Sequence, residues 1–373
     1  MAGSAVFFYG QQNVNWHPCC VYPQEESSHN VDRTRKDTST REETDSNYRS
    51  LISQKCENLK LNQTASEIID ASTRTSTKKT YKPYIEKWTN FAKDHNEDVL
   101  RPSIDLALNF LAKLFEEGYS FNAIVTAKCA LANIFNLDNN IGFGSLPIVK
   151  KFLKGVYEKR PSLPYKSRMA RWDPTVVLDM IEKWFPHQEI CLKKLSYKLA
   201  ILLALTTGQR VQTLNSIRIE NIDIVNNKCI IFINNLIKSS RRGTQQTPLQ
   251  LKEYTHKNLC VIDVLKCYLN KTKELRRGDS LFISIQKPYK EISTETLSRW
   301  IKITLKEAGI DATAHSTRSL STSVAADNGI PINQVLDCAG WSQESTFQKF
   351  YRLKSTENFG NTVLSAIQEK VNY

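Results

Sequence analysis

Hydrophobic positions recur at helical spacing through most of the chain from Leu51 onward. In the segment 76–95, Tyr81, Ile85 and Trp88 lie three or four residues apart, which places them on one face of an amphipathic helix. The first half of the chain is therefore predicted to be helical. The same spacing predicts three further helices there, over 103–118, 120–137 and 146–160.

The second half of the chain adds a short β-rich region to a helical pattern. The run "KCIIFIN" and a second short stretch near Thr247 to Leu251 predict an antiparallel hairpin, with Lys238 at or near its turn. The predicted fold is therefore mainly α with a small antiparallel β-sheet. Helices are predicted around this hairpin, over about 174–185, 189–207, 259–275 and 293–309.

Three segments break the periodic pattern and divide the chain. Residues 22–50 have almost no aliphatic side chains, which predicts disorder, and the disordered tail is taken as 1–60. Prolines and basic residues over 161–173 predict a linker. The last segment, 355–373, has an apolar residue every four positions and predicts a helix with one apolar face.

The charge of the chain favours a polyanionic partner. It has 51 Lys and Arg against 38 Asp and Glu, a net charge of +13 at pH 7. A long-range positive field of this kind suits nucleic acid, although it also occurs in proteins that are merely basic. The predicted DNA contacts lie on the first long helix, in the linker and at the hairpin turn: Lys78, Lys79, Lys82, Lys166, Arg168, Arg171, Arg241 and Arg242.

The sequence lacks the motifs that are typical of several functional classes. No apolar run reaches the ~20 residues that span a bilayer, and the N-terminus does not resemble a secretory signal. The nine cysteines lack metal-ligand spacing, which favours free thiols in a reducing compartment. Neither a P-loop nor a zinc-protease motif is present. The sequence therefore predicts no cofactor, no bound metal and no membrane partner.

A set of cations remains that could bind a phosphate. Arg210 follows the break at Gly208, at the start of a predicted helix. In "HSTRSL", His315 and Arg318 open another helix, whose free N–H groups also favour an anion. Two guanidiniums neutralise the non-bridging oxygens of a phosphodiester well. Each residue alone could equally be a solvated surface residue.

Three more residues complete a set that suits phosphoryl transfer without a metal. Tyr351 is a candidate nucleophile, and His315 could accept its proton. Lys238 near the hairpin turn could protonate a leaving 5′ oxygen. The indole N–H of Trp341 could bind a phosphate oxygen. The alternative for Trp341 and Tyr351 is ordinary core packing.

Four segments resemble the conserved boxes of tyrosine recombinases, the integrase family that shares its chemistry with type IB topoisomerases. They are "TTGQRVQTL", "IKSSRRG", "AHSTRSLSTSVA" and "CAGWSQESTFQKFY". The resemblance runs from about residue 62 to residue 354. The sequences of these segments are most similar to those of Crypton and DIRS-like recombinases of eukaryotic mobile elements. It implies a helical core-binding, SAM-like domain over 61–160 and a recombinase catalytic domain over 174–354.

The resemblance also implies a role for each site residue. Arg210 and Arg318 would clamp the phosphate, and Lys238 would be the general acid. His315 would relay the proton and Trp341 would occupy the His/Trp position. Tyr351 would attack to leave a 3′-phosphotyrosine and a free 5′ hydroxyl, so that rejoining needs neither ATP nor metal.

At the level of the whole protein, the resemblance implies a site-specific recombinase that works as a tetramer on double-stranded DNA in the nucleus. In this family a C-terminal tail such as 355–373 often docks on the neighbouring subunit, with packing on its own domain as the alternative. Two other functions stay open: a domesticated DNA-binding protein that has lost cleavage, and a type IB topoisomerase-like enzyme.

Two departures from the family pattern concern the site. Many members have a carboxylate three residues after the first arginine, where this chain has Thr213. That puts the support of the arginine or the histidine in doubt. Trp341 and Tyr351 are ten positions apart, whereas nine is common in bacterial and phage members. Neither departure removes a proton carrier or the nucleophile.

Overall fold

The chain divides into two compact units, Met1–Leu163 and Pro164–Tyr373, called here the N-terminal unit and the C-terminal unit. The division falls inside the segment 161–173 that the sequence predicts as a linker. The structure is a computed structural model, and it describes residues 50–135, 142–161, 172–235, 240 and 246–353.

The N-terminal unit is helical around an aromatic core. Trp88 is fully buried, with its ring centroid 5.4 Å from that of Phe110 and 5.3 Å from that of Phe135. Ser120 caps its helix as predicted, because its hydroxyl accepts from the Ala123 N–H at 3.3 Å. The helices are α1 (50–58), α2 (Gln63–Ala71), α3 (Thr75–Asp94), α4 (Ile104–Glu116), α5 (Phe121–Ile134) and α6 (Pro147–Lys159).

Helix α1 differs from the prediction that residues 1–60 are a disordered tail. Residues 50–58 are helical, and Leu51, Ile52 and Cys56 are buried in the core of the N-terminal unit. These apolar residues lie one and four positions apart, so one helical face can bury all three and offset the cost of ordering the segment. The folded part of the chain therefore begins before residue 60.

The C-terminal unit surrounds one nearly buried helix, α8, with further helices and a small sheet. From Leu195 to Ala204, every residue of α8 is buried. Ser293 caps α11 as predicted, with its hydroxyl accepting from the Thr296 N–H at 3.2 Å. The helices are α7 (Pro174–Glu182), α8 (Leu192–Thr207), α9 (Val211–Asn215), α10 (Val261–Thr272), α11 (Thr294–Glu307), α12 (Ser316–Asp327), α13 (Ile332–Ala339) and α14 (Glu344–Phe350).

The sheet has three antiparallel strands in the order β1–β2–β3, namely Ile222–Val225, Lys228–Ile231 and Leu249–Lys252. Cys229 pairs with Leu251, and both side chains face the core. The predicted pairing of the second and third strands is confirmed, and β1 is an additional strand. The predicted fold class, mainly α with a small antiparallel sheet, is confirmed.

Several predictions fall on residues outside the described ranges. They are the disordered tail up to residue 49, the linker residues Lys166, Arg168 and Arg171, the hairpin-turn residues Lys238, Arg241 and Arg242, and the C-terminal helix over 355–373. Across the described part of the chain, no helix combines the length and the apolar character needed to cross a membrane.

Candidate active site

The turn between α8 and α9 carries Arg210 close to α12. Gly208 ends α8 with a φ of +59°, in the left-handed region that favours glycine. A Cβ at this position would lie 3.2 Å from the Thr322 methyl group of α12. Ser321 of α12 also donates to the Leu205 carbonyl at 2.5 Å. The glycine therefore lets the turn, and Arg210 at the N-cap of α9, approach α12 closely.

At the start of α12, His315 lies at the protein surface and Arg318 lies in the interior. His315 is the N-cap residue and its side chain is exposed, whereas Arg318 is 1% exposed. Ser316 is bonded on both sides: its hydroxyl donates to the Thr313 carbonyl at 2.7 Å and accepts from the Trp172 indole N–H at 2.9 Å. This segment therefore holds the histidine at the surface, three residues before the buried arginine.

Arg318 is held by two backbone carbonyl groups. One terminal nitrogen donates to the Gly208 carbonyl and the other to the Ala339 carbonyl, each at 2.7 Å. The Nε atom is buried and has no hydrogen-bond partner among the described residues. The guanidinium thus bridges the end of α8 and the end of α13, and its Nε–H group stays available to bind an anion.

Burial is the main cause that lowers the pKa of Arg318, to about 9, and the positive charge of Arg210 lowers it further. The Tyr351 hydroxyl acts in the opposite direction. The guanidinium still bears its proton at pH 7. A phosphate between the two arginines would offset both the burial and the repulsion.

Trp341 covers the buried guanidinium. Helix α13 ends at Gly340, whose φ of +65° turns the chain so that the indole follows immediately. The Arg318 guanidinium carbon lies 4.1 Å from the centroid of the Trp341 ring. The indole Nε1 atom is buried and also has no hydrogen-bond partner among the described residues. It therefore provides a second buried N–H group beside the arginine.

Tyr351 follows the last residue of α14 and packs into the same cluster. It is 9% exposed, and its ring centroid lies 4.4 Å from that of Trp341 and 5.6 Å from that of His315. The Arg318 guanidinium carbon lies 5.3 Å from the Tyr351 ring centroid. The structure thus brings four predicted site residues together, with Arg210 on the neighbouring turn.

Thr213 is buried in α9, the helix that begins after Arg210, and the contacts of Arg318 do not involve it. The Thr213 side chain is 2% exposed, at the position where many family members have a carboxylate. The contacts of Arg318 come instead from the two backbone carbonyls described above. Gln209, which the sequence did not single out, adds a link by donating to the Cys338 carbonyl. No local signal marks it, because its partner is 129 residues away.

The predicted DNA-contacting lysines of α3 have different surroundings. Lys78 is partly buried and pairs with Asp70 at 2.5 Å. Lys79 is exposed and Lys82 is partly exposed. The roles of these lysines, and of Lys238 outside the described ranges, stay predictions. Over the described ranges, no three His, Cys, Asp or Glu side chains are grouped so as to hold a metal ion.

Comparison with known proteins relates this site to DNA recombinases. Residues 180–357 match the model of the phage integrase family. Tyrosine recombinase XerA of Pyrococcus furiosus is 25% identical over 273 residues, which cover 72% of this chain and 83% of that protein.

Two solved structures share the fold at a TM-score of 0.52. One is the XerH site-specific recombinase bound to palindromic difH substrate in a post-cleavage complex, 16% identical, covering 76% of this chain and 78% of that chain. The other is the Tn1549 transposon integrase in complex with transposon right end DNA, 13% identical, covering 86% of this chain and 99% of that chain. At these identities the likeness is one of fold.

Proposed function

We propose, from the match of residues 180–357 to the model of the phage integrase family, that the chain is a tyrosine recombinase that cleaves and rejoins DNA through a 3′-phosphotyrosine intermediate. The observation that carries the proposal is the buried cluster at Arg318. Two buried N–H groups that have no partner among the described residues, Arg318 Nε and Trp341 Nε1, lie beside the tyrosine ring. Such donors are suited to the oxygens of a phosphodiester.

The proposed cleavage step is an exchange of one phosphoester bond for another. The Tyr351 oxygen attacks the phosphorus, its bond to phosphorus forms, and the bond from phosphorus to the 5′ oxygen breaks. His315, 5.6 Å from Tyr351 between ring centroids, accepts or relays the phenolic proton. Lys238 gives a proton to the leaving 5′ oxygen, as the sequence predicts. The reverse reaction rejoins the strand.

Arg210 and Arg318 act on the charge of the phosphate. Their mutual repulsion contributes to the low pKa of Arg318, and a bound anion relieves it. In the pentavalent transition state the non-bridging oxygens gain charge, so this pair binds the transition state more strongly than the ground state. Because the number of phosphoester bonds is conserved, the proposed reaction needs no ATP. The two arginines neutralise the phosphate, which is the role that a metal ion has in other phosphoryl-transfer enzymes.

The biological setting is part of the same proposal. We propose a recombinase of a eukaryotic mobile element that acts as a tetramer on double-stranded DNA in the nucleus. The net charge of +13 supports a DNA partner. The resemblance of the sequence to Crypton and DIRS-like recombinases favours a eukaryotic origin.

A covalent adduct tests the proposal. Wild-type protein and Tyr351→Phe are incubated in EDTA with a random pool of nicked DNA duplexes, and SDS-resistant adducts are collected. We expect an adduct from wild-type protein that Tyr351→Phe does not form, with trapped DNA enriched in one sequence. DNA binding without an adduct from either protein would favour the cleavage-inactive DNA-binding protein. An adduct with no sequence preference would favour a topoisomerase-like enzyme.

A further inference from the structure

Helix α12 holds the backbone that directly follows Tyr351. The Ser323 hydroxyl donates to the Tyr351 carbonyl at 3.2 Å and accepts from the Leu353 N–H at 2.8 Å. The Ser323 side chain is fully buried, so these two bonds are shielded from water. The Ser323 side chain thus fixes the backbone on both sides of Arg352, the residue that follows Tyr351.

The bonding of Ser323 is unusual for a hydroxyl inside a helix. A buried serine or threonine ordinarily donates to a carbonyl of its own helix, as Thr322 does to the Arg318 carbonyl at 2.8 Å. Ser323, the next residue, instead bonds a segment 28 to 30 positions later in the chain. Its hydroxyl therefore serves the tyrosine segment and not the stability of α12.

The same helix carries the phosphate-binding arginine. Ser323 follows Arg318 by five residues, about 7.5 Å along a rigid helix. A second, weaker tether lies further along α12, where Asp327 pairs with Arg352 at 2.6 Å. Helix α12 thus sets the distance between the guanidinium and the backbone of the tyrosine, within one subunit.

We propose that Ser323 is a positioning residue for cleavage, which fixes the backbone that follows Tyr351 and so holds the phenol beside Arg318. This inference rests on the proposed function, since it assigns Tyr351 as the nucleophile. Its physical basis is that a nucleophile misplaced by even an ångström loses much of its rate. Ser323 acts through the position of the tyrosine and makes no contact with DNA.

Two substitutions of equal shape isolate the hydroxyl. Ser323→Val removes the donor and the acceptor, whereas Ser323→Thr has the same shape as valine and keeps both. With the trapped, nicked DNA as substrate, we expect Ser323→Val to form the adduct at least tenfold more slowly in a single turnover. Ser323→Thr is expected to restore most of the rate, and the affinity for DNA should be the same in both variants.

A second nucleophile distinguishes a misplaced Tyr351 from damage to the phosphate site. In a Tyr351→Phe background, hydrogen peroxide can attack the same phosphorus, and its hydroperoxide anion replaces the phenolate. Ser323→Val should leave this peroxide-dependent cleavage unchanged, because no tyrosine takes part. Equal losses with both nucleophiles, or no loss with either, would overturn the positioning role. Failure of wild-type protein to form any adduct would contradict the proposed function, and this inference with it.

Discussion

At the scale of single residues, the site depends on two buried N–H groups that donate a hydrogen bond to no described residue. The terminal nitrogens of Arg318 donate to the Gly208 and Ala339 carbonyls, and its buried Nε–H group has no partner among the described residues. Trp341 Nε1 lies on the ring that covers the guanidinium. A buried donor without a partner costs about 1–3 kcal/mol. A phosphate that binds both donors removes that cost.

Replacing Trp341 tests its N–H group apart from its ring. Trp341→Phe keeps an aromatic cover over Arg318 and removes the donor, so we expect single-turnover adduct formation to fall roughly tenfold, about 1.4 kcal/mol. Trp341→His keeps a ring and an N–H group and should lose less. Equal rates for Trp341→Phe and wild-type protein would mean that the indole serves only packing.

Lys198 gives the C-terminal unit a distinct dependence on pH. Its ammonium is fully buried and donates to the Trp184 carbonyl at 2.6 Å. Burial lowers its pKa from the usual 10.5 to about 8, and Glu182 opposes the shift. The folded state therefore releases this proton at lower pH than the unfolded state, and stability from this group rises as the pH increases from about 8 to 10.5.

Comparison with Lys198→Met isolates that effect. We expect the free energy of unfolding of wild-type protein to rise relative to the variant by about 3 kcal/mol between pH 8 and 10.5. Urea unfolding of the full chain at several pH values measures the difference. A difference that stays constant over this interval would show that Lys198 keeps its ordinary pKa in the folded protein.

At the scale of helices and turns, the site depends on how closely the turn after α8 approaches α12. Gly208→Ala would strain a left-handed residue and press a Cβ on Thr322. We expect a loss of about 1–2 kcal/mol in stability and slower adduct formation, because Arg210 is displaced. Thermal unfolding and the single-turnover assay measure the two effects.

Gly155→Ala is the matched control for that substitution. Gly155 lies inside α6, and a Cβ there would have no heavy atom within 4 Å. Alanine should therefore stabilise the helix by about 0.5–1 kcal/mol and leave adduct formation unchanged. A similar response at both positions would contradict the close approach between Gly208 and α12.

Local sequence signals predicted several helix ends correctly, because capping acts over a few residues. Ser120 and Ser293 cap as expected, and Gly208 ends α8. Strand β1 had a usable signal, since Asn226 and Asn227 both adopt positive φ in the two-residue turn before β2. The bonds of Ser323 had none, because they join residues that only the folded chain brings together.

At the scale of the whole molecule, each unit has its own core, and the predicted DNA contacts lie in both. Lys78 forms an ion pair with Asp70, whereas Lys79 is exposed on the same helix. A lysine that neutralises a phosphate releases a counterion and steepens the dependence of binding on salt. A lysine held in an ion pair contributes less. The lysines of α3 should therefore differ in their effect on binding.

The salt dependence of DNA binding tests this difference. For Lys79→Gln combined with Lys82→Gln, we expect the slope of log K against log salt concentration to become shallower by about 2 on duplex DNA. Lys93→Gln, about 21 Å away at the other end of α3, should leave the slope unchanged. A shallower slope only in the control would place the DNA on another surface.

The identity of the covalently modified residue tests the central claim most directly. The adduct trapped in EDTA is trimmed with nuclease and digested after glutamate, which releases residues 345–357 as one peptide. Fragmentation by mass spectrometry then locates the nucleotide. We predict that it is attached to the Tyr351 oxygen through its 3′ phosphate. A nucleotide on any other residue, or an adduct that persists in Tyr351→Phe, would contradict the account.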